Sequence, residues 1–520
     1  MRPVPAPGLT YRLGRGDVRL RPDGSVETVR PGSGSPGYLA GGGRVSAAVG
    51  GVEMSWPDPT VAVDVDEVEF SYPTTEGLGL VVRHAFTADW TLRLALVNHT
   101  LDPLTVVAEL GWVPMTGCPA WALAAGATGA YAILGPDGRG PLLGGELVLG
   151  TCDSVSDAGI ELGRLDLGPL ERRVVQWRWA WYANARIFNR DRFPAVPRDL
   201  VLGENEAARI VADEDTAVVA PGVETVWRGP HLELSSSSAH RVRVEVRSRH
   251  GVTAYDMEWV APLDDALTAL GEVVLNGPRT RAGVVVLPSV DAGLLLQHLL
   301  VRRRIGEEDQ ADNALGLFIA RAVDSPGDDG RAVSLLCGEF ERTADPDLLE
   351  RATAHLLALE PPVPGFGLAA AQVCVARLSQ GWSLDPVLSR LGQTVRTAEN
   401  DGPVDRVAAH LELRLTAAPR DADVDAGPRG SLDADVRRIG AALGAGLRGR
   451  PLRPLPVDQQ AYLAVVLGLL PEGTGARWSP EWGVPPHHVA RLARAQVLAR
   501  LVGQPPRAAH SWLIMGARLA

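Results

Sequence analysis

Arg241-Val-Arg-Val-Glu-Val-Arg247 alternates charged and apolar residues without a break. A period of two sends successive side chains to opposite faces of a β-strand, one toward a core and one toward water. The same alternation recurs up to about residue 290. Beyond it apolar residues return at helical spacing, segment after segment. A run of strands followed by a run of helices implies an α+β chain and excludes the alternating pattern of a doubly wound parallel sheet, with its nucleotide-binding crevice. At 520 residues the chain exceeds a single core. The change of period divides it into an antiparallel β-sandwich over 1–290 and an all-α unit of helical hairpins over 291–520.

Strands are expected at Val61–Val65, Glu67–Tyr72, Leu80–Phe86, Thr91–Asn98, Leu104–Leu110, Arg172–Trp181, His240–Arg247, Val252–Val260 and Arg281–Leu287, punctuated by Gly, Pro and Asp. So many strands call for two stacked sheets. In Gln176-Trp-Arg-Trp-Ala-Trp181 three indoles share one strand face, which suits a sandwich core. Between Asp199 and Val223 the pattern lapses, and a crossing between sheets or a subdomain boundary is expected there.

Eleven helices are expected from about 292 to 519. Asp345-Pro346 and Asp385-Pro386 set a capping aspartate before proline at the first helical position, and Asp458 is placed to cap its own helix. Short connections make successive helices antiparallel. Eleven is close to the twelve of an (α/α)6 toroid.

All 51 basic residues are arginine, so lysine Schiff bases and a Walker lysine are excluded. The net charge of −11, with no arginine-rich arm, argues against nucleic acid and anionic membrane as partners. A neutral or cationic ligand fits better. Cys118, Cys152, Cys337 and Cys374 are scattered, with no CxxC pair, and read as buried thiols. His487-His488 diverge on a helix and make a poor chelate. There is no HExxH, GxSxG or glycine–lysine phosphate loop, so no metal and no cofactor is expected. Gly444-Ala-Gly-Leu-Arg-Gly449 matches GxGxxG but follows a helix rather than a strand, and reads as helix-ending punctuation. The N-terminus shows no signal-peptide core and no segment reaches bilayer length, which implies a cytoplasmic protein.

Chain reversal at each helix gathers alternate loops at one end of the helical unit. That end collects Glu308 and Asp309, Trp382, Asp423, and the Arg477-Trp-Ser-Pro-Glu-Trp482 segment. Indole faces cover the C–H face of a sugar while carboxylates bind hydroxyls or act in pairs on a glycosidic bond. Trp382, Trp478 and Trp482 are therefore candidate sugar platforms. The competing reading packs the same tryptophans onto the helices or the β half as interface anchors.

Val81-Val-Arg-His-Ala-Phe86, Trp90 and Leu92-Arg-Leu-Ala-Leu-Val-Asn-His-Thr100 resemble paired strands of the β-supersandwich that precedes an (α/α)6 toroid in glycoside hydrolases and phosphorylases such as bacterial glucoamylases and maltose phosphorylases. The resemblance implies a supersandwich and toroid, a neutral oligosaccharide or glycoside as ligand, and hydrolysis or phosphorolysis by paired carboxyl groups at the toroid mouth. Glu481 is then the candidate acid, with Glu308, Asp309 or Asp423 as the base. A non-catalytic binding or assembly scaffold of the same fold is the alternative. A lyase or cyclase would instead need a His/Tyr or DDxxD-like constellation; Tyr462 shows no partner in the sequence.

Overall fold

The computed structural model describes residues 8–518 apart from 157–158, 191, 213–214, 249–250, 323–327, 398–402, 418–428, 472 and 474. Two antiparallel sheets stack face to face up to residue 182. One runs in the order Leu9–Leu13, Gly16–Leu20, Val26–Arg30, Leu39–Val49, Leu104–Pro114, Gly159–Leu167, Ser154–Val155. The other begins with Arg450–Pro451, borrowed from the C-terminal half. It continues through Ala120–Ala125, Thr128–Ile133, Leu142–Leu149, Arg172–Tyr182, Trp90–Asn98, Leu78–Phe86, Glu67–Thr75 and Thr60–Val63. Alternation decides what lies between them. Leu20 and Leu110 from the first sheet meet Phe70, Val82 and Trp177 from the second in one apolar core. Trp112 crosses from the first sheet to Trp179 of the second with ring centroids 4.4 Å apart. Gly42 makes room, because a Cβ there would lie 2.1 Å from the Trp112 ring. The tryptophan-bearing strand thus builds the core.

Where the pattern lapses, after Asp199, the chain forms two smaller sheets. Val201–Gly203, Gly251–Val260, His240–Ser248 and Ala217–Val219 make one; Ala207–Val211, His231–Ser235 and Glu224–Arg228 make the other. Leu202, Leu234, Val244 and Trp259 from these sheets share a core with Trp121, Leu123 and Ala132 on the outer face of the large second sheet. The segment expected as a strand at Arg281–Leu287 is not one; a single bridge between Arg279 and Val285 holds it.

The helices are α1 (Ala185–Asn189), α2 (Leu263–Leu275), α3 (Val290–Val301), α4 (Glu308–Ala322), α5 (Arg331–Thr343), α6 (Pro346–Ala358), α7 (Phe366–Ser379), α8 (Asp385–Thr397), α9 (Val404–Ala417), α10 (Arg429–Ala442), α11 (Val457–Gly468), α12 (Gly475–Trp482), α13 (Pro486–Leu501) and α14 (Ala508–Ala517). After the short α1, the run of helices begins at Leu263, ahead of the expected boundary at 290, and α2 packs on α3. Leu267, Gly271, Val274 and Leu275 give α2 its buried stripe. Helices α3, α5, α7, α9, α11 and α14 contact one another in that order, and α14 returns to α3. Asp345 caps α6 as expected, accepting from Asp347 N at 3.1 Å. Asp458 departs from expectation. It accepts from Ala509 N at 3.0 Å and pairs with Arg507, so it caps α14 rather than its own helix.

The halves meet through polar as well as apolar contacts. Arg491 pairs with Glu206 and His488 with Asp199; half-buried Arg448 donates to the carbonyls of Phe193 (2.9 Å) and Val196 (2.7 Å). The glycines after α10 serve this joint. Gly444 has φ +71° and lies where a Cβ would fall 2.4 Å from the Trp121 ring. The segment is a fitted crossing between the halves.

Candidate functional site

Among the described residues, those singled out for carbohydrate chemistry are not gathered round one concavity. Trp478 is 1% exposed and Trp482 7%, stacked at 6.5 Å between centroids in the core of the helical half. The Trp482 ring lies where a Cβ on Gly440 of α10 would come within 2.4 Å. Both indoles are interface anchors, so neither face is open to a sugar. The sequence misread this segment because Pro480 looked like a loop residue, whereas it sits inside α12. Glu481 is on the outer face of α12, bonded to Arg437 at 2.9 Å. Glu308 and Asp309 are exposed in the first turn of α4, where carboxylates complement the helix dipole. Trp382 is half-buried with the Arg377 guanidinium 5.3 Å above its ring. Asp423 lies outside the described residues.

A groove opens elsewhere, along the outward face of His240–Ser248 and Gly251–Val260. Its middle, about 450 Å³, is bounded by Arg198, Arg241, Asp256, Glu258, Arg450 and Arg500. A hollow of about 200 Å³ shares Arg241, Asp256 and Arg450 with it on one side. Another of about 670 Å³ shares Arg241 and Glu258 on the other, with Leu270, Val273 and Leu498 on its apolar wall. The wall opposite the sheet comes from α11, α13 and the crossing after α10. The stretch that decides the fold thus also builds the groove: of its odd positions, left to face water by the alternation, Arg241 and Arg243 line it.

Pairing across the strands sets the electrostatics. Arg241 stands opposite Glu258 and Arg243 opposite Asp256. Asp256 accepts from Arg241 at 2.6 Å and Arg243 at 3.2 Å. Burial alone would raise its pKa, but the two guanidinium groups outweigh that and hold it below the usual carboxylate range. Gln460 donates to Gln496 at 2.8 Å and accepts from Arg500 at 2.8 Å, which fixes the amides on the helical wall. Burial lowers the pKa of Arg500, with Arg507 adding to the effect. Neither Arg450 nor Glu258 makes a side-chain hydrogen bond or ion pair among the described residues; these two are available to a ligand. In the middle of the groove four guanidinium groups face two carboxylates, so this stretch is cationic in a chain of net charge −11, while Asp153 and Asp265 stand at its two ends.

Tyr462 does have a partner, which the sequence could not show. Its hydroxyl donates to Glu412 of α9, and both are buried. The carboxylate also accepts from Gly365 N (2.9 Å) and Leu368 N (2.6 Å), covering the open amides at the start of α7. Burial pushes Glu412 up to about 7 against these hydrogen bonds. The pair ties three neighbouring helices together and is sealed from ligand. Among the described residues no three His, Cys, Asp or Glu side chains converge as a metal site, and no helix is long and apolar enough to cross a membrane.

No protein-family model matches the chain, and no curated protein matches it in sequence. A solved structure titled Polysaccharide Lyase BACCELL_00875 aligns over 93% of this chain and 93% of its own, with a TM-score of 0.71 and 12% identity. The likeness is one of fold. It spans the β and the helical halves together, so the two form one shared architecture. A TPR-domain containing protein from Parabacteroides distasonis aligns at a TM-score of only 0.22.

Proposed function

We propose that this is a carbohydrate-active protein that binds an acidic polysaccharide along the groove between the small sheets and the helical half. The observation that carries the proposal is the cationic middle of a long groove in an acidic chain, with Arg450 free to meet a carboxylate. The fold likeness to a polysaccharide lyase supports a polymeric sugar as ligand, and the closed contacts of α3, α5, α7, α9, α11 and α14 support a toroid-like helical half. The charge of the groove favours an acidic glycan over the neutral one expected from the composition.

Elimination suits this lining better than hydrolysis. Hydrolysis by paired carboxyls needs one to carry a proton and the other to activate water. Asp256 is held ionised by two arginines, leaving Glu258 as the lining carboxylate with its oxygens free. Elimination needs one base and one cation. A guanidinium against the uronate carboxylate would stabilise the charge that develops as Glu258 removes the neighbouring ring proton. Those electrons form the ring double bond, and the glycosidic oxygen leaves with a proton from water.

The test is binding and turnover of oligouronates beside neutral oligosaccharides of equal length. Arg450→Ala should weaken oligouronate binding tenfold or more, and Glu258→Gln should abolish the rise in ultraviolet absorbance from the unsaturated product while leaving binding intact. Preferential binding of the neutral series would overturn the acidic assignment. Tight binding without turnover in the unaltered protein would favour the scaffold reading.

A further inference from the structure

We propose a second, independent glycan-binding site on the N-terminal sandwich, in the cleft under the strap that joins its two sheets. The strap, residues 54–59, connects Val52–Glu53 of the first sheet to Thr60–Val63 of the second and roofs a hollow of about 370 Å³. Trp56 and Tyr72 form its aromatic wall, with centroids 6.0 Å apart and planes tilted by 58°. Both rings are fixed from behind. The indole N–H of Trp56 donates to Val45 O at 3.0 Å, and the Tyr72 hydroxyl donates to Asp23 O. Pro57 and Pro59 restrict the strap itself.

Arg44, Glu53 and Asp58 also line the hollow; all three are exposed, and none makes a side-chain hydrogen bond or ion pair among the described residues. A strap that only closed the sandwich would need the Trp56 anchor but not a ring of uncommitted polar heads beside two oriented aromatic faces. Sugars need both: C–H faces stack on rings, and vicinal hydroxyls donate to carboxylates. Asp23, Glu53 and Asp58 outnumber Arg44, so the cleft repels a polyuronate and accepts an uncharged glycan. That is the opposite preference to the groove. The sandwich site would hold the protein on a neutral matrix while the groove engages an acidic chain.

Native electrophoresis of the full chain through gels containing glucomannan, xylan, laminarin or alginate tests this. At least one neutral glycan should retard the protein, with Trp56→Ala weakening the apparent affinity about tenfold and Arg450→Ala in the groove having no effect on it. Because Trp56 also packs on the sandwich core, Glu53→Gln with Asp58→Asn is the companion variant. It removes two exposed carboxylates, should melt with the unaltered protein, and should weaken neutral-glycan retardation at least threefold while leaving alginate retardation unchanged. Retardation by no neutral glycan, or equal retardation of the unaltered protein and the double variant, would overturn the site. Loss of alginate binding in Arg450→Ala alone reports on the groove, so the two proposals fail separately.

Discussion

Glu412→Gln is the sharpest perturbation of the helical half, because burial shifts its carboxyl toward the protonated form, from which an unfolded chain would release the proton. Buried Glu412 is pushed up to about 7 from an ordinary 4.5. For a raised folded-state pKa, the stabilising contribution is full below the unfolded value and is lost as pH rises toward the folded one. The window is therefore pH 4.5 to 7. A shift of that size corresponds to about 3 kcal/mol over the whole window, of which roughly 2–3 kcal/mol falls between pH 5 and 8. Glutamine keeps one acceptor oxygen, sets its NH2 against the other donor and lowers stability by an amount that does not vary with pH, because it carries no proton to lose. His84 works in the opposite sense. Burial lowers it to about 4, so its contribution is present above pH 6.5 and is lost on acidification. Both proteins carry His84, and the difference between them isolates Glu412. Urea unfolding at pH 5, 6, 7 and 8 should show the variant gaining roughly 2–3 kcal/mol on the unaltered protein across the series. Parallel profiles would refute the assignment of a proton to the buried carboxyl.

Trp482→Ala and Trp478→Ala should each cost about 3–5 kcal/mol of stability, as large-to-small changes in a core do, with no direct effect on ligand binding. Glu481→Gln should change stability by less than about 1 kcal/mol, since it removes an exposed ion pair, and should leave any turnover intact; loss of turnover would restore it as the acid. Gly444→Ala should lower the melting temperature by several degrees, because the added Cβ meets the Trp121 ring at 2.4 Å in a left-handed backbone. An unchanged melt would mean that the crossing is not fitted as described.

The order of parts was legible because burial on one face leaves a period in the chain. Arg241 to Arg247 became a strand, the Trp177 and Trp179 indoles went to the core, and Asp345 capped α6. Local signals failed where a distant partner decided the outcome. Asp458 caps a helix some fifty positions away, Pro480 is carried inside α12, and Glu412 finds Tyr462 only because α9 and α11 are neighbours. The groove was hidden for the same reason. Outward arginines on a strand look solvated until another part of the chain is laid against them.

Amide hydrogen exchange with saturating tetrameric or longer oligouronate tests the groove most directly. Protection is expected in His240–Ser248 and Gly251–Val260, in 443–454 after α10 and along the last turns of α13, with none at the first turn of α4 or around Trp382. Protection confined to 302–310 and 380–386, or none at saturation, would contradict the placement of the site.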